Sequence, residues 1–327
     1  MTRILNLLYI SVLFSLGLSI FPFVGKGQTK STNEGEQIAK IQKRYGLDPK
    51  VPLTGRIKQT SPEILKKFRD AGFSPVLHKL NKDDSMKVVR AFNALPPLHQ
   101  RVLKDHLLGI SFLDNMPNTA LTAAVNPDDS LAVFTITFRA EILRQNVSEW
   151  LTEKERSYFT DHPNLKLSIE AGKLDAILYV LLHEATHVVD GSLGILNDQK
   201  KNTKIAKDFE PFTEDIWLDR ITLAPKYKDT LSSKISFRPG GRKPSIETAK
   251  GIYQFASDKP FVSLYSLSSR HEDLAEYLSV SHFTDKLRQP FRIVLYENGN
   301  ILYRFEPMKS LSVKSRISLM DHFYESK

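Results

Sequence analysis

Cysteine is absent from all 327 residues. That excludes a disulfide framework, thiolate zinc fingers, iron–sulfur clusters and a cysteine nucleophile, so any metal must be held by His, Asp or Glu. Long runs of one charge are also lacking: 46 Lys and Arg stand against 37 Asp and Glu, and the net +9 is spread along the chain. Such a spread implies solubility and mild attraction to anionic surfaces. Without basic stripes or stacking motifs, nucleic acid is not an expected partner. There is no internal repeat and no low-complexity tract, and beyond residue 24 no apolar stretch is long enough to span a bilayer. What remains is a chain with 41% hydrophobic residues, long enough for one large or two modest domains with a real core.

One long apolar stretch does occupy the start. Arg3 precedes residues 4–24, interrupted only by Asn6, a few serines, Gly17 and Pro22, and Gly25-Lys26-Gly27 offers an imperfect cleavage site. The pattern fits a secretory signal peptide over residues 1–27. Because the run exceeds the usual length of such a core, an uncleaved anchor attaching the protein to a membrane through residues 4–24 is the alternative. Either way the working part is expected outside the cytoplasm, periplasmic or secreted. Cleavage would remove Arg3 and Lys26 and leave +7.

Apolar spacing predicts a mainly helical lead-in over residues 28–100, beginning as a loose polar segment with one short helix near Glu36–Tyr45. Helices follow at Pro62–Ala71, Asp83–Ala94 and Pro97–Leu108, the last two separated by Leu95-Pro96-Pro97. Leu107–Leu113 and Ser130–Ala140 read as strands. In the second, Ala132, Phe134, Ile136 and Phe138 alternate with Val133, Thr135, Thr137 and Arg139, the pattern of a strand at the edge of a sheet. Leu174–Asp190 is the clearest helix, and Arg270–His282 is another. Residues 191–260 resemble an insertion, with lysines (Lys200, Lys201, Lys204, Lys207) that read as a solvated face. Glu297-Asn298-Gly299-Asn300 marks a hairpin within Phe291–Phe305. Helices and strands in separate runs point to an α+β fold, with residues 101–327 as its main domain.

The chemistry concentrates in His183-Glu184-Ala185-Thr186-His187. Histidines four apart on a helix point the same way about one turn apart, close enough to share one ion. Glu184, beside the first, is placed to hold a water and take its proton. Burying two histidines and a glutamate in an apolar helix would be costly without a metal to satisfy them. Zinc needs a third protein ligand and one open position. Asp190 and Leu193 occupy the places where a metzincin would have Gly and His, so the third ligand lies elsewhere. Glu210 is the near candidate. Glu272 is a better one, four residues before Glu276 on the later helix, while His271 beside it would point about 100° away.

These residues resemble the gluzincin metallopeptidases of the anthrax lethal factor type, which pair His-Glu-x-x-His-x-x-Asp with a later Tyr-x6-Glu-x-x-Ala-Glu. The resemblance covers the two motifs and the candidate edge strand, about a third of the chain. It implies a zincin-like catalytic domain with a small mixed sheet, one zinc ion per chain, His183, His187 and Glu272 as ligands, and Glu184 as general base. It further implies that Tyr265 donates to the developing oxyanion and that Asp190 and Glu276 orient the ligand histidines. The expected activity is zinc-dependent hydrolysis of a peptide or protein substrate, with the strand Leu131–Phe138 pairing with that substrate. The alternative is a catalytically silent, zinc-stabilised binding protein of the cell envelope.

Overall fold

The computed structural model of the chain describes residues 34–126, 132–196, 203–228, 230, 232–237 and 242–325. The expected export segment, Lys200 and Lys201, and Pro239-Gly240-Gly241 lie outside them. Among the described residues the architecture is α+β, with two small sheets and eleven α-helices. No helix there is long and apolar enough to cross a membrane.

The first sheet is mixed. Strands β1 (Val76–Leu77), β2 (Leu107–Asp114), β3 (Ala120–Ala124) and β4 (Phe134–Arg139) lie in the order β1-β2-β4-β3, with β2 and β4 parallel and the outer pairs antiparallel. The strand expected at the edge is therefore interior. β4 pairs on both sides, and the edge belongs to β3, whose short run of Ala, Leu and Thr carries little alternation to announce it. The apparent polar face of β4 is covered too: Thr137 is fully buried and its hydroxyl lies 3.2 Å from that of Ser111 on β2. Threonine is β-branched and fits a pleated interior once its hydroxyl finds a partner, which is why alternation alone misplaces the strand.

Helices α1 (Glu34–Tyr45), α2 (Pro62–Asp70), α3 (Lys82–Ala94) and α4 (Pro97–His106) accompany this sheet, and two of them start at capping residues. Ser61 caps α2 with Pro62 in its first turn, and Asn81 with Asp84 forms a reciprocal capping box on α3. The segment before α2 is not the loose lead-in expected from its polarity. Arg56 is buried and its guanidinium donates to the carbonyls of Lys104 (2.6 Å) and Leu107, while the Lys58 amide donates to Ile110 of β2. A polar segment can pack when its charge satisfies carbonyls left open at a helix C-terminus.

Helix α5 (Val147–Arg156) and strand β5 (Leu165–Glu170) occupy a stretch for which apolar spacing predicts no element. α5 carries its own signal, a capping box of Asn146 and Glu149. Helix α6 (Ala176–Leu193) contains the paired histidines. Every residue from Ala176 to Asp190 is buried, as expected of a helix packed on all sides. It packs against α3, α4, α5 and β3. It ends at Gly194, whose left-handed backbone (φ +66°) lets its amide return to the Asp190 carbonyl at 2.7 Å.

Two single-turn helices, α7 (Lys204–Asp208) and α8 (Glu210–Thr213), and helix α9 (Ala249–Ala256) come next. A 3₁₀ turn at Tyr265–Leu267 leads into α10 (Arg270–Ser281), capped by Ser269 and packed across α6. Strands β6 (Arg292–Glu297) and β7 (Asn300–Phe305) form the expected hairpin, with Asn298 and Gly299 both at positive φ, and β6 pairs with β5 in a second, antiparallel sheet. A last short helix, α11 (Leu311–Lys314), precedes the C-terminal 3₁₀ turns.

Candidate metal centre

On α6 the imidazoles of His183 and His187 stand with ring centroids 4.9 Å apart, and their Nε2 atoms face each other at 3.2 Å. α10 delivers Glu272 to the same point. Its Oε2 lies 2.9 Å from His183 Nε2 and 3.3 Å from His187 Nε2. Ligand atoms arranged tetrahedrally at bonds of about 2.0–2.1 Å stand about 3.3 Å from one another. The three atoms form such a triangle, slightly contracted, and all three residues are buried. Two imidazole nitrogens and a carboxylate oxygen are a donor set zinc accepts. Among the described residues this is the group able to hold a metal ion. His271 and Glu210 are outside it, and Glu210 is exposed at the start of α8.

The electrostatics favour a cation at this point. Burial opposes charging of His183, but the facing carboxylates of Glu272 and Glu276 overcome it and raise the imidazole to about 10. Burial likewise opposes ionisation of Glu272, and the neighbouring His187 and His183 reverse this and hold its carboxyl well below the usual range. A metal ion placed among the three atoms supplies the positive charge that a proton otherwise brings.

One turn beyond Glu272, Glu276 Oε1 lies 3.1 Å from His183 Nδ1, though at an angle outside good hydrogen-bond geometry. Its carboxylate also receives the Lys154 ammonium at 3.0 Å, the Ser263 hydroxyl at 2.7 Å and the Tyr179 phenol at 3.3 Å. Although burial pushes the other way, Lys154 and His183 hold this carboxyl down to about 2. Asp190 is placed differently from the expectation. It pairs with His271 Nδ1 at 2.5 Å and accepts the Leu196 amide at 2.8 Å, while His187 Nδ1 has no hydrogen-bond partner among the described residues. The 100° separation of adjacent helical residues explains this: His271 turns away from the metal point and onto the end of α6, where it takes up Asp190.

Glu184 points into a cavity of about 360 Å³, also lined by His183, His187, Glu272 and Tyr265. One carboxylate oxygen accepts the Thr122 hydroxyl of β3 at 2.5 Å. Tyr265 lines the same cavity, its ring centroid 6.1 Å from that of His183. Burial and the carboxylates of Glu272 and Glu184 push its phenol well above the ordinary value, so it remains an O–H donor. The free edge of β3 and the preceding loop, residues 117–122, form one side of the cavity, and Trp150, Tyr158, Val180 and Phe237 supply an apolar wall.

The structure thus brings His183, His187, Glu184, Glu272, Glu276 and Tyr265 together and sends Asp190 to His271. It adds Thr122, Lys154, Tyr179 and Ser263, which sequence reasoning does not find. None carries a spacing signal: each reaches the site from an element whose position depends on the tertiary fold.

No protein-family model and no curated protein matches the chain. Among solved structures, a "putative zinc-binding metallo-peptidase from Bacteroides caccae" aligns over 90% of this chain and 87% of its own, with 11% identity and a TM-score of 0.32. A likeness of that size carries no functional argument.

Proposed function

We propose that this chain is a zinc-dependent metallopeptidase of the gluzincin kind, hydrolysing peptide bonds with water. The observation that supports this reading best is the His183, His187 and Glu272 triangle, which opens onto the same cavity as Glu184 and Tyr265. Zinc held by those three residues would supply Lewis acidity, drawing electron density from a carbonyl oxygen and making water more acidic. Glu184 takes the proton from that water and returns it to the departing amine nitrogen, its carboxylate held in place by Thr122. Tyr265 donates its O–H to the oxygen that gains negative charge as the carbonyl becomes tetrahedral. The free edge of β3 offers backbone groups to an extended substrate, the role that alternation alone assigns to β4. Export through residues 1–27 belongs to the same proposal and rests on sequence alone.

The test is cleavage of an unbiased peptide mixture by the full chain after metal removal and after zinc is restored. Cleavage that disappears with the metal and returns with about one zinc per chain supports the reading. Full zinc loading with no cleavage favours the silent zinc-stabilised protein.

A further inference from the structure

Lys154 stands apart from the residues that the reaction itself requires. It lies on α5, with its side chain 17% exposed at the cavity wall. Its ammonium is 3.0 Å from Glu276 Oε1, 4.2 Å from the centroid of the Tyr265 ring and 5.2 Å from that of Trp150. Glu276 is the carboxylate next to His183 Nδ1, and Tyr265 is the phenol that faces the cavity. A lysine serving only to tie α5 to α10 needs the carboxylate and not the tyrosine. This one touches both, and a cation seated on a ring face is attracted to it as well as to its ion-pair partner.

We infer that Lys154 is a positioning residue: through one ammonium it fixes Glu276 against His183 and fixes the ring of Tyr265, so that metal affinity and the oxyanion donor are set together. Its partners explain the choice of lysine. Three carboxylates, Glu184, Glu272 and Glu276, converge on this region, and an ammonium beside Glu276 offsets charge there without entering the metal triangle. Its flexible stem reaches Glu276 from a separate helix, and its compact head fits between the carboxylate and the ring. The turnover half of the inference rests on the peptidase reading, whereas the metal half does not.

The experiment is a double-mutant cycle on the full chain, using zinc titrated against a competing chelator and peptide turnover split into kcat and KM. Lys154→Met is expected to weaken zinc binding about tenfold, the lower end of what loss of a group supporting a metal ligand costs, and to lower kcat at least about tenfold with KM within about threefold. Lys154→Gln gives the same losses without an apolar group at the site and serves if the methionine variant does not fold. Lys154→Arg restores most of the zinc affinity because the charge returns. In a Glu276→Gln background, adding Lys154→Met costs less than about twofold further in zinc affinity, since its route is already cut. Parent-like zinc affinity and kcat in Lys154→Met and Lys154→Gln would overturn the inference, as would losses that multiply in the double variant. If the parent binds zinc and cleaves nothing, the peptidase reading fails while the zinc cycle still decides the role of Lys154.

Discussion

Three glutamates, Glu184, Glu272 and Glu276, surround Tyr265, and their partners differ. Glu272 meets two imidazoles, Glu276 meets an ammonium and two hydroxyls, and Glu184, which lines the cavity, accepts the Thr122 hydroxyl. Tyr265 is kept protonated by burial and negative neighbours, and on the peptidase reading it is the O–H donor for an oxyanion. Tyr265→Phe is expected to lower kcat about 10²- to 10³-fold, the usual cost of removing one such donor, with KM within about threefold and zinc content unchanged. Steady-state kinetics with metal analysis of the same samples checks this, and a change confined to KM would assign Tyr265 to binding. At this scale much of the site is legible in the sequence, because histidines four apart and glutamates four apart point the same way on any helix. Thr122, Lys154 and Ser263 are not, since an ordinary surface-type residue joins a site only through the place its element takes.

Helix periodicity locates most of the helices to within a few residues, whereas the strands are harder. β4 looks like an edge because its threonines read as polar, and β3, the real edge, is too short and too rich in alanine to register. Behind the metal helix lies a pair of buried histidines that periodicity can only assign to surface or core. His99 of α4 meets the Thr186 hydroxyl at 3.0 Å, and His282, just past α10, meets the Tyr324 hydroxyl at 2.6 Å. Burial, reinforced by repulsion from His282, lowers His99 to about 3, and burial lowers His282 to about 4. In the unfolded chain both titrate near 6.5. Between pH 6.5 and those depressed values the unfolded state therefore binds more protons, so the stability these residues contribute is full above about 6.5 and lost as pH falls. Each group accounts for about 1.4 kcal/mol per pH unit inside that window. Glu155, pushed up to about 7 by burial, acts in the opposite direction but equally in parent and variant. For chelator-treated protein, His99→Gln is expected to shrink the loss of unfolding free energy between pH 7 and pH 5 by about 2 kcal/mol in urea titrations. An unchanged pH dependence would show that His99 is not held neutral by the fold.

Across the whole molecule, the site is assembled from β3, α5, α6, the 3₁₀ turn at Tyr265 and α10, which span residues 120 to 281. Other described elements brace them. α3 and α4 pack on α6, and Asp175 at the start of α6 pairs with Arg90 at 2.8 Å. The segment expected as an insertion is tied down on α10, where Phe212 meets the ring of Tyr277 and Trp217 donates to Asp273, itself held by Arg316 at 2.7 Å. The α+β class is readable from the order of helical and strand patterns. The bracing is not, because it depends on buried polar partners far apart in sequence, such as Arg56 with the end of α4 and Arg316 with Asp273. With no cysteine available, the described core and buried polar ties such as these carry the burden of cohesion. On the peptidase reading, this framework presents the His183, His187 and Glu272 triangle and a separate proton acceptor, Glu184, to one substrate. The most direct test compares zinc-loaded parent with zinc-loaded Glu184→Gln on the same peptide mixture, with metal content measured in both. About one zinc per chain is expected in each, with turnover lowered at least about 10³-fold in the variant, since loss of the base removes the proton transfer. Equal cleavage by the two proteins, or loss of zinc from the variant, would contradict it.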